Sequence, residues 1–118
     1  MSTWRVFAQQ EHPREEWVRA GERFFGIKLA FTERAITSRR REEADLRDAI
    51  AAEQRTGFTG LYDLAERRCP LVWEVERQGS DDRTALQMAA IMATVGLGPI
   101  LGDDELFGVR TARAKLGE

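Results

Sequence analysis

Between Ala85 and Leu101 the chain carries no charged side chain, and only Gln87 and Thr94 interrupt the apolar run. No other stretch of the 118 residues restricts the fold as tightly. At helical spacing, Arg83, Gln87, Ala90 and Thr94 fall on one narrow line. The positions around them from Ala85 to Val95 are Ala, Leu, Met, Ile or Val. A surface helix shows a polar half, so a helix with only a polar stripe is buried on most sides. The spacing predicts such a helix over about 82–95, capped by Ser80 or Asp81. A membrane span is the competing reading. It needs about 20 consecutive apolar residues. This run is shorter, is broken by Gly96, Gly98 and Pro99, and has acids near both ends with no basic cuff, so no membrane is expected.

The rest of the chain must supply what covers that helix. With 42% hydrophobic and 32% charged residues, the composition is that of a folded domain, and the length suits one domain over 1–118. A net charge of -2 gives no bulk field to draw in nucleic acid or acidic lipid. Cys69 is the sole cysteine, which excludes an internal disulfide, and no apolar leader follows Met1, so a cytoplasmic location is expected. Of the 18 basic residues only Lys28 and Lys115 are lysine, and asparagine is absent. That bias suits a bacterial, high-GC genome or selection by heat.

Trp4–Gln10 alternates as a half-buried strand. Pro13 with Glu15 and Glu16 opens a short helix that stops near Gly21. In 24–31, Phe25, Ile27, Leu29 and Phe31 alternate, which favours a strand over the competing helical seam. Ala35–Ser38 then either completes a hairpin or begins the next helix. Ser38 is placed as the cap of a helix that runs to Gly57. A shorter helix over about 60–68 ends before Pro70. Leu71–Arg77 is the clearest strand. Leu106–Leu116 reads as a last strand with a basic tail. The fold expected is therefore α+β, a mostly antiparallel sheet of about four strands with helices packed on one face and one largely buried helix.

Few residues point to chemistry. Gly96, Gly98 and Gly102 approach a phosphate-loop spacing, but they follow a helix. A helix C-terminus presents carbonyls and partial negative charge, which repel an anion. Gly96 or Gly98 is expected to supply a left-handed stop. Asp103, Asp104 and Glu105 lack the spacing of a calcium loop. Arg39, Arg40, Arg41, Arg67 and Arg68 form a candidate anion-binding patch if their two segments pack together. Against it, acids balance the arginines between Thr32 and Asp48, and no aromatic residue interleaves the run. Cys69 lacks the helix N-terminus and nearby base that activate a thiolate, and His12 stands alone in a loop. No catalytic, metal-binding or cofactor-binding residues emerge, and no cofactor is expected.

The sharper expectation concerns the apolar helix. Ala85, Met88, Ala89 and Met92 make a flat face of small and adaptable side chains, a candidate interface if the domain cannot wrap the helix alone. The function expected on that ground is a non-enzymatic, cytoplasmic protein–protein interaction module, self-associating or bound to a protein partner within a larger assembly. Two alternatives remain from the sequence. One is a nucleic-acid-binding accessory protein using the arginine patch. The other is a small enzyme or ligand-binding domain using His12 and scattered carboxylates.

Overall fold

In β1 (Thr3–Ala8) both faces of the strand are apolar: Val6 and the adjacent Phe7 are each wholly buried. A strand buried on both sides belongs in the middle of a sheet with a layer on each face. The computed structural model, which describes residues 3–32, 34–57, 59–79 and 81–117, has that arrangement. β1 is followed by α1 (Arg14–Ala20), β2 (Ile36–Arg40), α2 (Glu43–Thr56), α3 (Leu61–Arg68), β3 (Leu71–Glu76), α4 (Arg83–Gly96), β4 (Ile100–Leu101), β5 (Leu106–Phe107) and α5 (Val109–Lys115). The strands form one antiparallel sheet in the order β2-β3-β1-β4-β5. The molecule is a single compact α+β domain, as expected, with five strands where about four were expected.

The helices lie on both faces of the sheet, not on one. Trp4, Val6 and Val75 point to a cluster built with α4, α1 and α5. Phe7, Val72, Leu101 and Leu106 point to a second cluster under α2 and α3. The second layer was hidden because α2 and α3 present small residues, Ala49, Ala52 and Ala65, whose burial leaves little apolar signal in the sequence.

Helix starts also differ from expectation. Ser38 is inside β2, where pairing with β3 keeps the chain extended, so it caps nothing. The cap of α2 is Glu42, in a reciprocal box with Asp45. Asp82 caps α4, its carboxylate accepting from the Ala85 amide at 3.2 Å; Asp81 does not, and Ser80 lies outside the described residues.

Two segments change type. The 24–31 strand does not form. α1 runs on through a π-helical turn, Gly21–Phe25, and Gly26 stops it in the left-handed conformation. Phe25, Ile27 and Leu29 still pack on the α4 cluster, but without a strand partner. The last strand is reduced to Leu106–Phe107, and the basic tail is the helix α5.

Candidate interaction surface

Ala85, Met88, Ala89 and Met92 are fully covered by this chain. β1, α1, β3 and α5 close around α4. The domain wraps its central helix by putting α1 and α5 beside it on the same face of the sheet, so these four residues are core and offer no face to a second molecule.

The exposed apolar surface lies at the exit of α4 instead. Gly96 is the last helical residue, and a Cβ there would sit 2.9 Å from the Ala8 Cβ. A Cβ on Gly98 would fall 2.0 Å from the Phe7 carbonyl oxygen, inside any contact distance. Both glycines serve close approach to β1, and neither is the left-handed stop. Three hydrogen bonds bind the segment down: Gln9 N to Gly96 O at 2.9 Å, Phe7 N to Pro99 O at 3.0 Å and Gln9 Nε2 to Leu97 O at 3.0 Å. With its neighbours fixed, Leu97 makes the turn, at φ 58° and ψ 43°. Its side chain is 60% exposed.

Leu97 lines an open groove of about 570 Å³ together with Leu61 and Leu64 of α3, Ala93 and Thr94 of α4, and Val109 of α5. On the other side of the α4 end, Val95 and Phe24 line a second depression with the alternating charges Glu16, Arg19, Glu22 and Arg23. Phe24 is 50% exposed, with Arg23 over its ring at 5.2 Å.

The five arginines of the candidate anion patch divide into two groups. Arg39 points under α2, where it grips Asp45 through two bonds of 2.6 and 2.8 Å and Glu74 at 3.0 Å. Arg41 caps α3: its Nη1 lies 2.7–2.9 Å from the carbonyls of Ala65, Glu66 and Cys69. Arg40, Arg67 and Arg68 are exposed and make no ion pair with the described residues. They do not form one patch: Arg40 shares the β2 face of Ile36, toward the α4 cluster, whereas Arg67 and Arg68 belong to α3 on the other face of the sheet.

Two buried carboxylates, Asp45 and Glu53, and the half-buried Asp82 hold connections together. Asp45 is the centre of a network that also takes Arg5 at 3.1 Å. Burial alone would raise its pKa. The hydrogen bonds from Arg39, the Glu42 amide and Arg5 outweigh that effect and bring it down to about 2. Glu53 likewise opposes burial by accepting from the Tyr62 amide and the Thr59 hydroxyl, and its pKa is lowered. Asp82, held by the Gln78 amide and Arg34, is lowered for the same reason.

The acids of the loop after β4 diverge. Asp103 pairs with Arg77 at 3.7 Å, Asp104 with Arg55 at 2.5 Å and Glu105 with Lys115 at 3.0 Å. Among the described residues no group of three or more His, Cys, Asp or Glu side chains is arranged to hold a metal ion. His12 Nδ1 meets Glu16 at 2.7 Å, one helical turn away. Cys69 is buried, which pushes its thiol up to about 11, partly offset by Arg41. Neither residue lines the groove or the second depression. No described helix is long and apolar enough to cross a membrane.

The sequence singled out none of Leu97, Phe24 or the groove. A Leu between two glycines reads as ordinary helix exit, and the groove joins residues from three helices far apart in the chain. Comparison with protein-family models, with curated proteins and with solved structures finds no match for this chain.

Proposed function

We propose that this chain is a non-enzymatic protein–protein interaction module of the cytoplasm, and that it self-associates through the surface at the α4 exit. One observation carries the reading: Leu97 is a large apolar residue, 60% exposed, at a helix-ending turn whose left-handed conformation Gly or Asn adopts more readily. For a residue with a Cβ that conformation costs about 1–2 kcal/mol, and Gly or Asn would fill it more cheaply. Strain kept at an exposed position is a mark of function.

A second copy is the occupant this surface fits. The exposed Leu97 lines the same groove as Leu61, Leu64 and Val109. A two-fold axis between two copies sets each Leu97 into the other's groove, because an isologous interface needs knob and hole on the same patch. Both signs of charge around Phe24 allow the rim to pair with itself, and a net charge of -2 adds little repulsion. The lone, buried Cys69 accords with a reducing compartment.

Sedimentation equilibrium tests the reading. The wild-type chain is expected to exceed the monomer mass reversibly with concentration, and Leu97→Asn to sediment as a monomer with unchanged circular dichroism. A wild-type chain that stays monomeric at high concentration refutes it.

A further inference from the structure

The start of α4 lies against a buried donor that has no acceptor. Trp4 is only 9% exposed, and its Nε1 makes no hydrogen bond. An indole N–H can only donate, and a buried donor is rarely left unpaired because its desolvation is then uncompensated. The setting of the ring fixes where this donor points. A Cβ on Gly102 would lie 2.5 Å from Cζ3 and 3.2 Å from Cε3 of Trp4, so the benzo edge faces Gly102, at the end of β4. Nε1 is on the opposite edge of the indole, toward β3, where Trp4 is in register with Val75. On that side the chain leaves β3 at Glu76 and enters α4 at Arg83.

A cleft of about 360 Å³ opens there, between the start of α4 and the end of α5. Trp4, Arg77, Arg83 and Lys115 line it together with the apolar Leu86 and Leu116. Two of its cations have acid partners outside the lining: Arg77 reaches Asp103 at 3.7 Å and Lys115 reaches Glu105 at 3.0 Å. Arg83 is different. It is exposed, its guanidinium donates to the neutral carbonyl of Leu116, and no described acid pairs with it. Two acids also line the cleft. Asp82 is taken up by Arg34 and by the amides of Gln78 and Ala85. Asp81 is exposed and is the charge that opposes an anion here.

We propose that this cleft binds a small organic anion, a carboxylate head on a short apolar body. One carboxylate oxygen accepts from Trp4 Nε1, the head takes a charge-assisted bond from Arg83, and the body lies along Leu86 and Leu116. Small-ligand sites combine an apolar lining with a few placed polar groups in this way. One indole donor and one cation without an acid partner match a single negative charge. A phosphate dianion would call for more cations and would meet Asp81. Because Nε1 is buried, a side chain yields as the ligand enters, and Arg77, over the Trp4 ring at 4.4 Å, is the flexible one that covers it. The cleft is at the start of α4 and Leu97 at its exit, so the site stands or falls independently of the self-association proposed above.

The probe is sodium butyrate, with sodium phosphate and sodium chloride at matched ionic strength as comparisons. Heteronuclear NMR reads the indole N–H signals of the three tryptophans, Trp4, Trp17 and Trp73. The Trp4 signal is the one lost in Trp4→Phe or, if that variant fails to fold, the one with Overhauser contacts to Phe107, whose ring meets Trp4 edge-on at 5.7 Å. Butyrate is expected to move the Trp4 N–H downfield and saturably, and to leave those of Trp17 and Trp73 in place. Arg83→Gln, at an exposed position, is expected to weaken butyrate roughly tenfold, the effect of one lost charge-assisted bond. Asp81→Asn is expected to tighten it about twofold to fivefold by removing the opposing charge. A Trp4 signal that butyrate does not move overturns the proposal, and so does a shift that Arg83→Gln leaves unweakened. Phosphate or chloride moving the signal as far as butyrate assigns the effect to ions in general and overturns it too. A Trp4 N–H with an Overhauser contact to a long-lived water that butyrate does not displace gives the donor to buried water and likewise overturns it.

Discussion

Phe31 and Leu97 are the two described residues other than glycine held at positive φ, 53° and 58°. Their surroundings are opposite. Phe31 is wholly buried, its ring tilted on Trp17 at 5.4 Å, and its carbonyl accepts from the Arg14 guanidinium. Trp17 in turn meets Trp73 edge-on at 4.8 Å, so Phe31 joins the irregular 27–32 segment to the sheet. Burying a Phe side chain gains about 1.5–3 kcal/mol, which offsets the left-handed backbone there. Leu97 has the same backbone and no such burial. One backbone state serves the core in the first case and is left for the surface to use in the second.

The largest expected effect tests the core half of that contrast. Phe31→Ala should lower stability by about 3–5 kcal/mol, read as a fall in the denaturant midpoint. A loss near zero would mean that the 27–32 segment is held by something other than its aromatic anchor. A smaller effect extends the contrast to charge. Asp45 is held near pKa 2 in the folded state against an ordinary value of 3.8. Because its folded pKa is depressed, its contribution is complete well above pH 4 and is lost as pH falls toward 2. It amounts to about 2 kcal/mol at neutral pH. Asp45→Asn should remove that part of the acid dependence, read from denaturant midpoints across the acid range. Asp104, whose ion pair with Arg55 is open to water, should show no comparable loss on Asp104→Asn. The smallest effect has the opposite sign. Leu97→Asn should raise monomer stability by about 0.5–1 kcal/mol, since Asn tolerates the left-handed state, while abolishing self-association. A destabilised Leu97→Asn would show that Leu97 packs more than its exposure implies, and would erase the difference from Phe31.

Much of the frame was legible because its signals are local. β3 alternates, β1 was legible as a strand though not as one buried on both faces, Gly57 and Pro70 end their helices, and the polar stripe of α4 marked it as buried. What was missed depends on contacts far along the chain. Phe25, Ile27 and Leu29 alternate as a strand would, yet they pack their side chains on the α4 cluster and join no strand. Val109, Ala112 and Leu116 carry a helical seam, but Leu106 and Phe107 before it bias the stretch toward a strand. The candidate site was less legible still. The Met88 face looked unpartnered because the sequence cannot show α1 and α5 folding over it. Arg39 and Arg41 looked like surface charge because Asp45 is one of 20 acids, and only the fold brings it beneath the sheet.

The strand order has a consequence during synthesis. β1 is paired on one side with residues 71–76 and on the other with residues 100–101. At about 5–20 residues per second, the ribosome takes roughly 5–20 s to deliver the last of these after β1 has emerged. For most of that interval Trp4, Val6 and Phe7, which will be the centre of the molecule, lack β3, and until its end they lack β4. Of the described strands β1 waits longest for a partner, so nascent chains of this protein are exposed to chaperone capture and to misassembly through their most apolar strand.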